Sequence, residues 1–234
     1  MIDSAQLSYH LGSKRVRSAV RMSMLAEGEL SYKDFIEQLY SDLDDAIYRL
    51  QKNRELHQKS SEDLLSNWIL DNLNTRGYDA VHEGKTGGHV DLTIKLGTYS
   101  WIGEAKKDGN YEGGFQQLST RYITASGNFK HEHGGLIFYL VKIKNAKQVL
   151  KNWQDTLTER KIICRDCENN ALAFYSDHVL EGSGTDFYVR SMAVSLYHQP
   201  QDASGIRTAE NAESRKTAAK KTSAKKTVSK KSPS

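Results

Sequence analysis

Gly88-His-Val-Asp-Leu-Thr-Ile-Lys-Leu-Gly-Thr-Tyr-Ser-Trp-Ile-Gly-Glu-Ala-Lys-Lys107 carries two period-two runs joined by a glycine. Asp91, Thr93 and Lys95 alternate with Val90, Leu92, Ile94 and Leu96, as expected of a strand. Gly97 offers a turn, and Tyr99–Lys106 reads as the returning strand. Such a hairpin brings Asp91 beside Glu104, and Glu104 and Lys106, two residues apart, leave the same face. Two carboxylates and one ammonium therefore gather at one end of the ribbon.

Neighbouring carboxylates repel unless a cation lies between them. Lys106 supplies part of that charge, and a hard divalent ion with oxygen ligands suits the pair better. A metal beside a phosphodiester offsets developing charge, and a lysine next to a metal-bound water orients it. The chemistry suggested is phosphodiester hydrolysis. Asp…Glu-x-Lys alone is a common pattern, and a surface hairpin with a Glu–Lys pair is the plain alternative, so context decides.

Working outward, Phe35, Ile36, Leu39, Tyr40, Leu43, Ile47 and Leu50 predict an amphipathic helix from a Ser31 cap to about His57. A second helix opens at Ser60 or Ser61, with Leu64, Leu65, Trp68, Ile69 and Leu73 as its apolar stripe and Gly77 after its last turn. Glu62 stands on the flank of Ser66, Ile69 and Leu73; it is either a helix-dipole residue or a further metal ligand. Tyr78–His82 reads as a strand, followed by the glycine-rich loop 83–88. Its Gly84-Lys85-Thr86 is not a P-loop, because the earlier glycine and the following helix are both missing.

Beyond Lys107 comes a stretch expected to be mobile, then a helix over Phe115–Ala125 with Gln117 and Arg121 one turn apart. That pair is a surface couple, or it holds a phosphate backbone or the attacking water. Gly135–Lys142 is continuously apolar, as in a central strand buried on both faces. A helix over Ala146–Glu159, strands at Lys161–Cys164 and Ala171–Tyr175, and a strand or short helix at Asp186–Tyr197 complete an α/β chain with a central mixed sheet flanked by helices. Val16–Leu25 reads as a short helix with Arg15, Arg17 and Arg21 on its polar side. Cys164 and Cys167 form one CxxC, too few for a four-sulfur zinc site, and read as reduced thiols at a loop; His131, His133 or His178 would have to join them to bind zinc.

Charge divides the chain. Of 33 basic and 29 acidic residues, nine and three fall in residues 201–234, so the tail carries +6 and residues 1–200 carry −2. Paired lysines Lys220, Lys221, Lys225, Lys226, Lys230 and Lys231 recur every five residues in an apolar-poor segment, which is expected to be disordered and to bind polyanions by counterion release. No run reaches the ~18 apolar residues of a membrane span, and no signal peptide is evident, so a cytoplasmic, nucleoid-associated protein with no membrane partner is expected.

The order of a helix with Glu62, a strand after Gly77-Tyr78, the Asp91 strand, Glu104-Ala-Lys106 and the Gln117/Arg121 helix resembles the PD-(D/E)xK, or restriction-endonuclease-like, nuclease superfamily over about Ser60–Val141. The resemblance implies that Asp91, Glu104 and the Ala105 carbonyl hold Mg²⁺ or Mn²⁺, that Glu62 assists, and that Lys106 activates water. It adds Gln117 to the catalytic set, and Arg121 and Lys107 to the nucleic-acid contacts. Val90 replaces the motif's proline, and Arg121 stands where a tyrosine usually follows the glutamine. The implied organisation is an N-terminal helical extension (1–59, a candidate dimer or partner interface), a nuclease-like domain (60–199) and a basic tail (200–234). The implied function is a metal-dependent DNA endonuclease, perhaps within a restriction or phage-defence complex; an inactive DNA-binding module and an RNA nuclease are the alternatives.

Overall fold

In the computed structural model, residues 12–82, 84–85, 89–122, 128, 130–200 and 202 are described. The helices are α1 (Lys14–Ala26), α2 (Tyr32–Lys52), α3 (Glu62–Asn74), α4 (Tyr111–Gln117) and α5 (Ala146–Glu159). The strands are β1 (Asp79–Val81), β2 (Gly84–Lys85), β3 (His89–Val90), β4 (Leu92–Leu96), β5 (Tyr99–Lys107), β6 (His133–Leu140), β7 (Ile163–Asp166), β8 (Ala173–Val179) and β9 (Asp186–Ser195). Seven strands form one sheet in the order β1-β4-β5-β6-β9-β8-β7, and β2 and β3 pair separately. Only β5–β6 and β6–β9 are parallel, so the sheet is mixed and the chain is α/β.

The β4–β5 hairpin closes through Gly97 and Thr98, with Leu96 opposite Tyr99. Gly97 has a φ of 58°, which a two-residue hairpin turn with glycine first requires. A Cβ there would also collide with the Ala26 carbonyl at the end of α1, so the turn is packed as well as bent.

Alternation divides the apolar residues between two layers. Leu92, Ile94, Trp101, Ala105, Ile137 and Tyr139 face α1, α2 and α3; Leu136, Phe138 and Leu140 face α5. β6 is thus covered on both sides, as its unbroken apolar run requires. Helix α2 begins with a reciprocal capping box in which Ser31 and Asp34 satisfy each other's backbone N–H, worth about 1 kcal/mol.

Several boundaries differ from expectation. Helix α2 stops at Lys52, and Arg54–His57 is a separate 3₁₀ turn. Its apolar face is consumed internally, with Phe35, Leu39, Leu43 and Leu50 fully buried. Met1–Tyr197 cluster as one unit, so residue 59 marks no boundary and α2 offers no free apolar face to a partner. Leu64, expected in the α3 stripe, is exposed, because it sits one residue off the buried flank of Leu65 and Ile69. Asp186–Ser195 is a strand.

The segment after Lys107 is three residues long and anchored. Asp108 Oδ1 accepts the Val141 and Lys142 N–H groups at 2.8 and 2.9 Å, stapling the end of β5 to the end of β6. His198–Ser234 form a second unit whose lysine pairs lie outside the described residues. No helix among the described residues is long and apolar enough to cross a membrane.

Candidate active site

Ladder pairing between β4 and β5 ends at Leu92 opposite Gly103, so the next step sets Asp91 against Glu104. Asp91 itself sits in a bend between β3 and β4. Its Oδ2 accepts the Ala105 N–H at 3.0 Å, so a carboxylate binds the β5 backbone just beyond the last ladder pair. Glu104 projects from the same side and is almost wholly buried, at 1% exposure.

Lys106, two residues on, returns over Glu104. Its Nζ lies 2.5 Å from Glu104 Oε1, 3.8 Å from Asp91 Oδ2 and 3.9 Å from Glu62 Oε1. Glu62 reaches this point because Ser61 caps α3 and makes Glu62 its first residue. Glu62 Oε2 also accepts the Lys107 N–H at 2.5 Å. It therefore ties the start of α3 to the end of β5, a contact that a purely dipole-balancing acid would not make.

Three carboxylates around one ammonium leave an excess of negative charge. Burial pushes the Glu104 carboxyl up to about 7, against the hydrogen bond from Lys106 and with the help of the Asp91 charge. Burial likewise raises Glu62, although Lys106 and the Lys107 N–H oppose it. Burial pulls Lys106 down, but the Glu104 hydrogen bond and the three carboxylate charges outweigh it and hold the ammonium above its ordinary range. Glu104 is thus near its midpoint at neutral pH while Lys106 stays cationic.

Among the described residues no three His, Cys, Asp or Glu side chains stand at spacing ready for a metal ion, and the Lys106 ammonium occupies the point where the acids converge. The donor chemistry nonetheless fits a hard divalent cation. All three acids are oxygen donors from different elements, and Glu104 Oε2 is buried with no partner, an acceptor with capacity to spare. A cation binding here would have to draw Glu104 away from Lys106.

Helix α4 crosses directly over the site. A Cβ on Gly114 would come within 2.9 Å of Lys106 Cγ and 3.4 Å of Glu104 Cγ, so the glycine lets helix and lysine touch. The sequence expectation of a helix beginning at Phe115 was four residues late, because Gly113-Gly114 reads as loop and costs the helix roughly 1 kcal/mol per glycine relative to alanine. Gln117 follows Gly114 by three residues and shares the helix face turned to Lys106. The winding then changes to a π-turn over Leu118–Tyr122, so Gln117 and Arg121 are not joined by a regular α-helical turn. The Arg121 side chain lies outside the described residues, as do the six paired lysines of the tail. The Lys107 ammonium donates to the Ser60 carbonyl, which ties it to the chain's own backbone instead of leaving it to reach outward.

Two supports had no signal in the sequence. Tyr139 on β6 and Ser66, one turn after Glu62, share a 3.2 Å hydrogen bond in the core and fix α3 against the sheet beneath the acids. The CxxC, by contrast, has nothing to do with the site. Cys164 lies in β7, not in a loop, and packs on the α5 side, while Cys167 packs on the α2 side. The two thiols therefore face opposite layers and neither pair with each other nor converge on His131, His133 or His178. No family model, curated protein or solved structure compared with this chain matches it.

Proposed function

We propose that this chain is a metal-dependent phosphodiesterase, an endonuclease acting on DNA, with a site of the PD-(D/E)xK kind. The single observation carrying the reading is the meeting of Asp91, Glu104 and Glu62 around Lys106, from three different elements. Support also comes from the order of parts: the Glu62 helix, three antiparallel strands β1-β4-β5, the α4 crossover and parallel β6 follow one another as the resemblance expects.

Asp91, Glu104 and Glu62, with the Ala105 carbonyl, would hold Mg²⁺ or Mn²⁺, which when bound supplies Lewis acidity and a more acidic water. The chain's own residues do the rest. Lys106, kept cationic by its neighbours, donates hydrogen bonds to a water or a phosphate oxygen and does not accept a proton. Glu104 must ionise before it can serve as a ligand, so cation uptake releases a proton near neutral pH. Gly114 keeps α4 close enough for Gln117 to orient the incoming strand. The lysine-rich tail would raise residence on DNA in a salt-sensitive way. A homodimer or a larger restriction or phage-defence assembly would supply a second site for double-strand cleavage.

The second reading is an inactive nuclease-like DNA binder, favoured by the tight Lys106–Glu104 pair, which already neutralises part of the cluster. Plasmid nicking with Mg²⁺ separates them: activity in the wild type that is lost in Asp91→Ala and Lys106→Ala supports the enzyme. Equal nicking by both variants refutes it, and a parallel RNA digest decides the substrate.

A further inference from the structure

On the sheet face opposite the carboxylates, near the starts of β6 and β9, lies a cavity of about 200 Å³. Its walls are the rings of Tyr40, Tyr175, Tyr188 and His133, and Lys33, Glu37 and Arg165 stand at its mouth. His133 and Tyr188 face each other across neighbouring strands with ring centroids 5.0 Å apart. Behind the pocket, the buried Arg190 guanidinium lies 4.8 Å from the Tyr40 ring centre and 5.8 Å from that of Tyr175. Asp44 holds that guanidinium at 2.8 Å. His133 Nδ1 is buried and has no partner.

We infer that this cavity binds one nucleobase, with the phosphate attached to it lying toward Lys33 and Arg165. Size comes first: the volume is below the ~300 Å³ at which pockets begin to take drug-sized ligands, which suits a single flat ring system. The walls come second, since four aromatic rings offer π-faces of the kind on which bases stack. Charge decides between a base and an aromatic-cage ligand. An organic cation would meet Lys33, Arg165 and the buried Arg190 with Glu37 as the one acid at the mouth, whereas a neutral base bearing an anionic phosphate matches that balance. Burial lowers His133 to about 4, so its imidazole is neutral at physiological pH and its unpartnered nitrogen is free to hydrogen-bond a ring edge.

The pocket is independent of the hydrolytic site. His133 and Tyr139 are six residues apart on β6, on the order of 20 Å along the strand at ~3.3 Å per residue, and Tyr139 is the residue paired with Lys107. Binding here therefore needs neither a divalent cation nor Asp91. The occupant is either a free nucleotide or a base of a single strand turned out of its stack.

The test is fluorescence titration of the full chain, in chelator and moderate salt, with the nucleoside monophosphates and with ribose 5-phosphate as the baseless control. Saturable quenching is expected with at least one nucleotide and not with ribose 5-phosphate. The half-buried Tyr188→Ala should weaken it about tenfold, as loss of one stacking ring does. The exposed Lys33→Ala, whose fold is not at stake, should weaken it a few-fold, and Asp91→Ala should leave it unchanged. A short single-stranded oligonucleotide that binds more tightly than any mononucleotide, through Tyr188, identifies a strand as the source; the reverse order identifies a free nucleotide. Quenching by no nucleotide, or equal quenching by ribose 5-phosphate or by folded Tyr188→Ala and Lys33→Ala, overturns the inference. Because no metal is present, that result leaves the nuclease reading to stand or fall on the nicking assay.

Discussion

Replacing Lys106 with methionine should make the protein's stability depend on pH in a way the wild type's does not. Glu104 sits near 7 in the fold against an ordinary 4.5, so the folded chain binds a proton there more tightly than the unfolded chain. Stability contributed by that group is therefore full below 4.5 and falls as pH rises toward 7, by on the order of 3 kcal/mol at ~1.4 kcal/mol per unit. Above 7 the wild type loses nothing more on this account. Lys106 titrates far above that range and does not enter it.

The ammonium is the main influence holding Glu104 down, through its 2.5 Å hydrogen bond and its charge. Without it, Asp91 and Glu62 repel the Glu104 charge unopposed, and the carboxyl moves above 7. The variant then goes on losing stability past neutrality, at up to ~1.4 kcal/mol per pH unit, until its own midpoint is passed. Urea unfolding in chelator at pH 5.5, 7 and 8.5 measures this. At pH 5.5 Glu104 is mostly protonated in both proteins, and the two should differ by no more than about 1 kcal/mol, the range of a volume-conserving swap. At pH 8.5 the gap should have widened by roughly 1–2 kcal/mol. A gap that is the same at both ends would show that Lys106 and Glu104 are not coupled as described.

Other perturbations test neighbouring parts of the argument. Titration calorimetry with Mn²⁺ should show proton release and affinity rising between pH 6 and 8, with the signal lost in Glu104→Gln; binding that survives in that variant would place the cation elsewhere. Gly114→Ala should change stability by less than about 1 kcal/mol, since helix propensity gained offsets the 2.9 Å approach to Lys106, yet lower nicking several-fold; unchanged nicking would mean that α4 does not govern the site. Tyr139→Phe leaves the Ser66 hydroxyl buried without its partner and should cost about 1 kcal/mol in unfolding free energy, while a neutral result would mean that Ser66 turns to its own helix backbone. Truncation after Pro200 should flatten the salt dependence of DNA binding while leaving Mn²⁺ affinity intact, and an unchanged salt slope would remove the tail from the interface.

What sequence alone conveyed follows how local each signal is. The hairpin was legible because alternation, a glycine turn and i,i+2 geometry lie within twenty residues, and together they set Asp91, Glu104 and Lys106 side by side. Helix α5 was legible residue for residue, having a strong apolar period and no internal glycine. Glu62 was ambiguous because its role depends on where α3 starts relative to the end of β5, 45 residues away in sequence. Gly113 and Gly114 were misread for a related reason: in isolation they weaken a helix, and only the Lys106 side chain beneath them explains why no larger residue stands there. The aromatic cavity left no trace at all, since its walls come from α2, β6, β8 and β9 and no window of sequence contains more than one of them. Local pattern thus reaches the chemistry when reacting groups share a ribbon. Where a pocket is assembled from separate layers, the sheet order has to be known before the residues can be read as neighbours, and for this chain that order also separates the two candidate sites onto opposite faces.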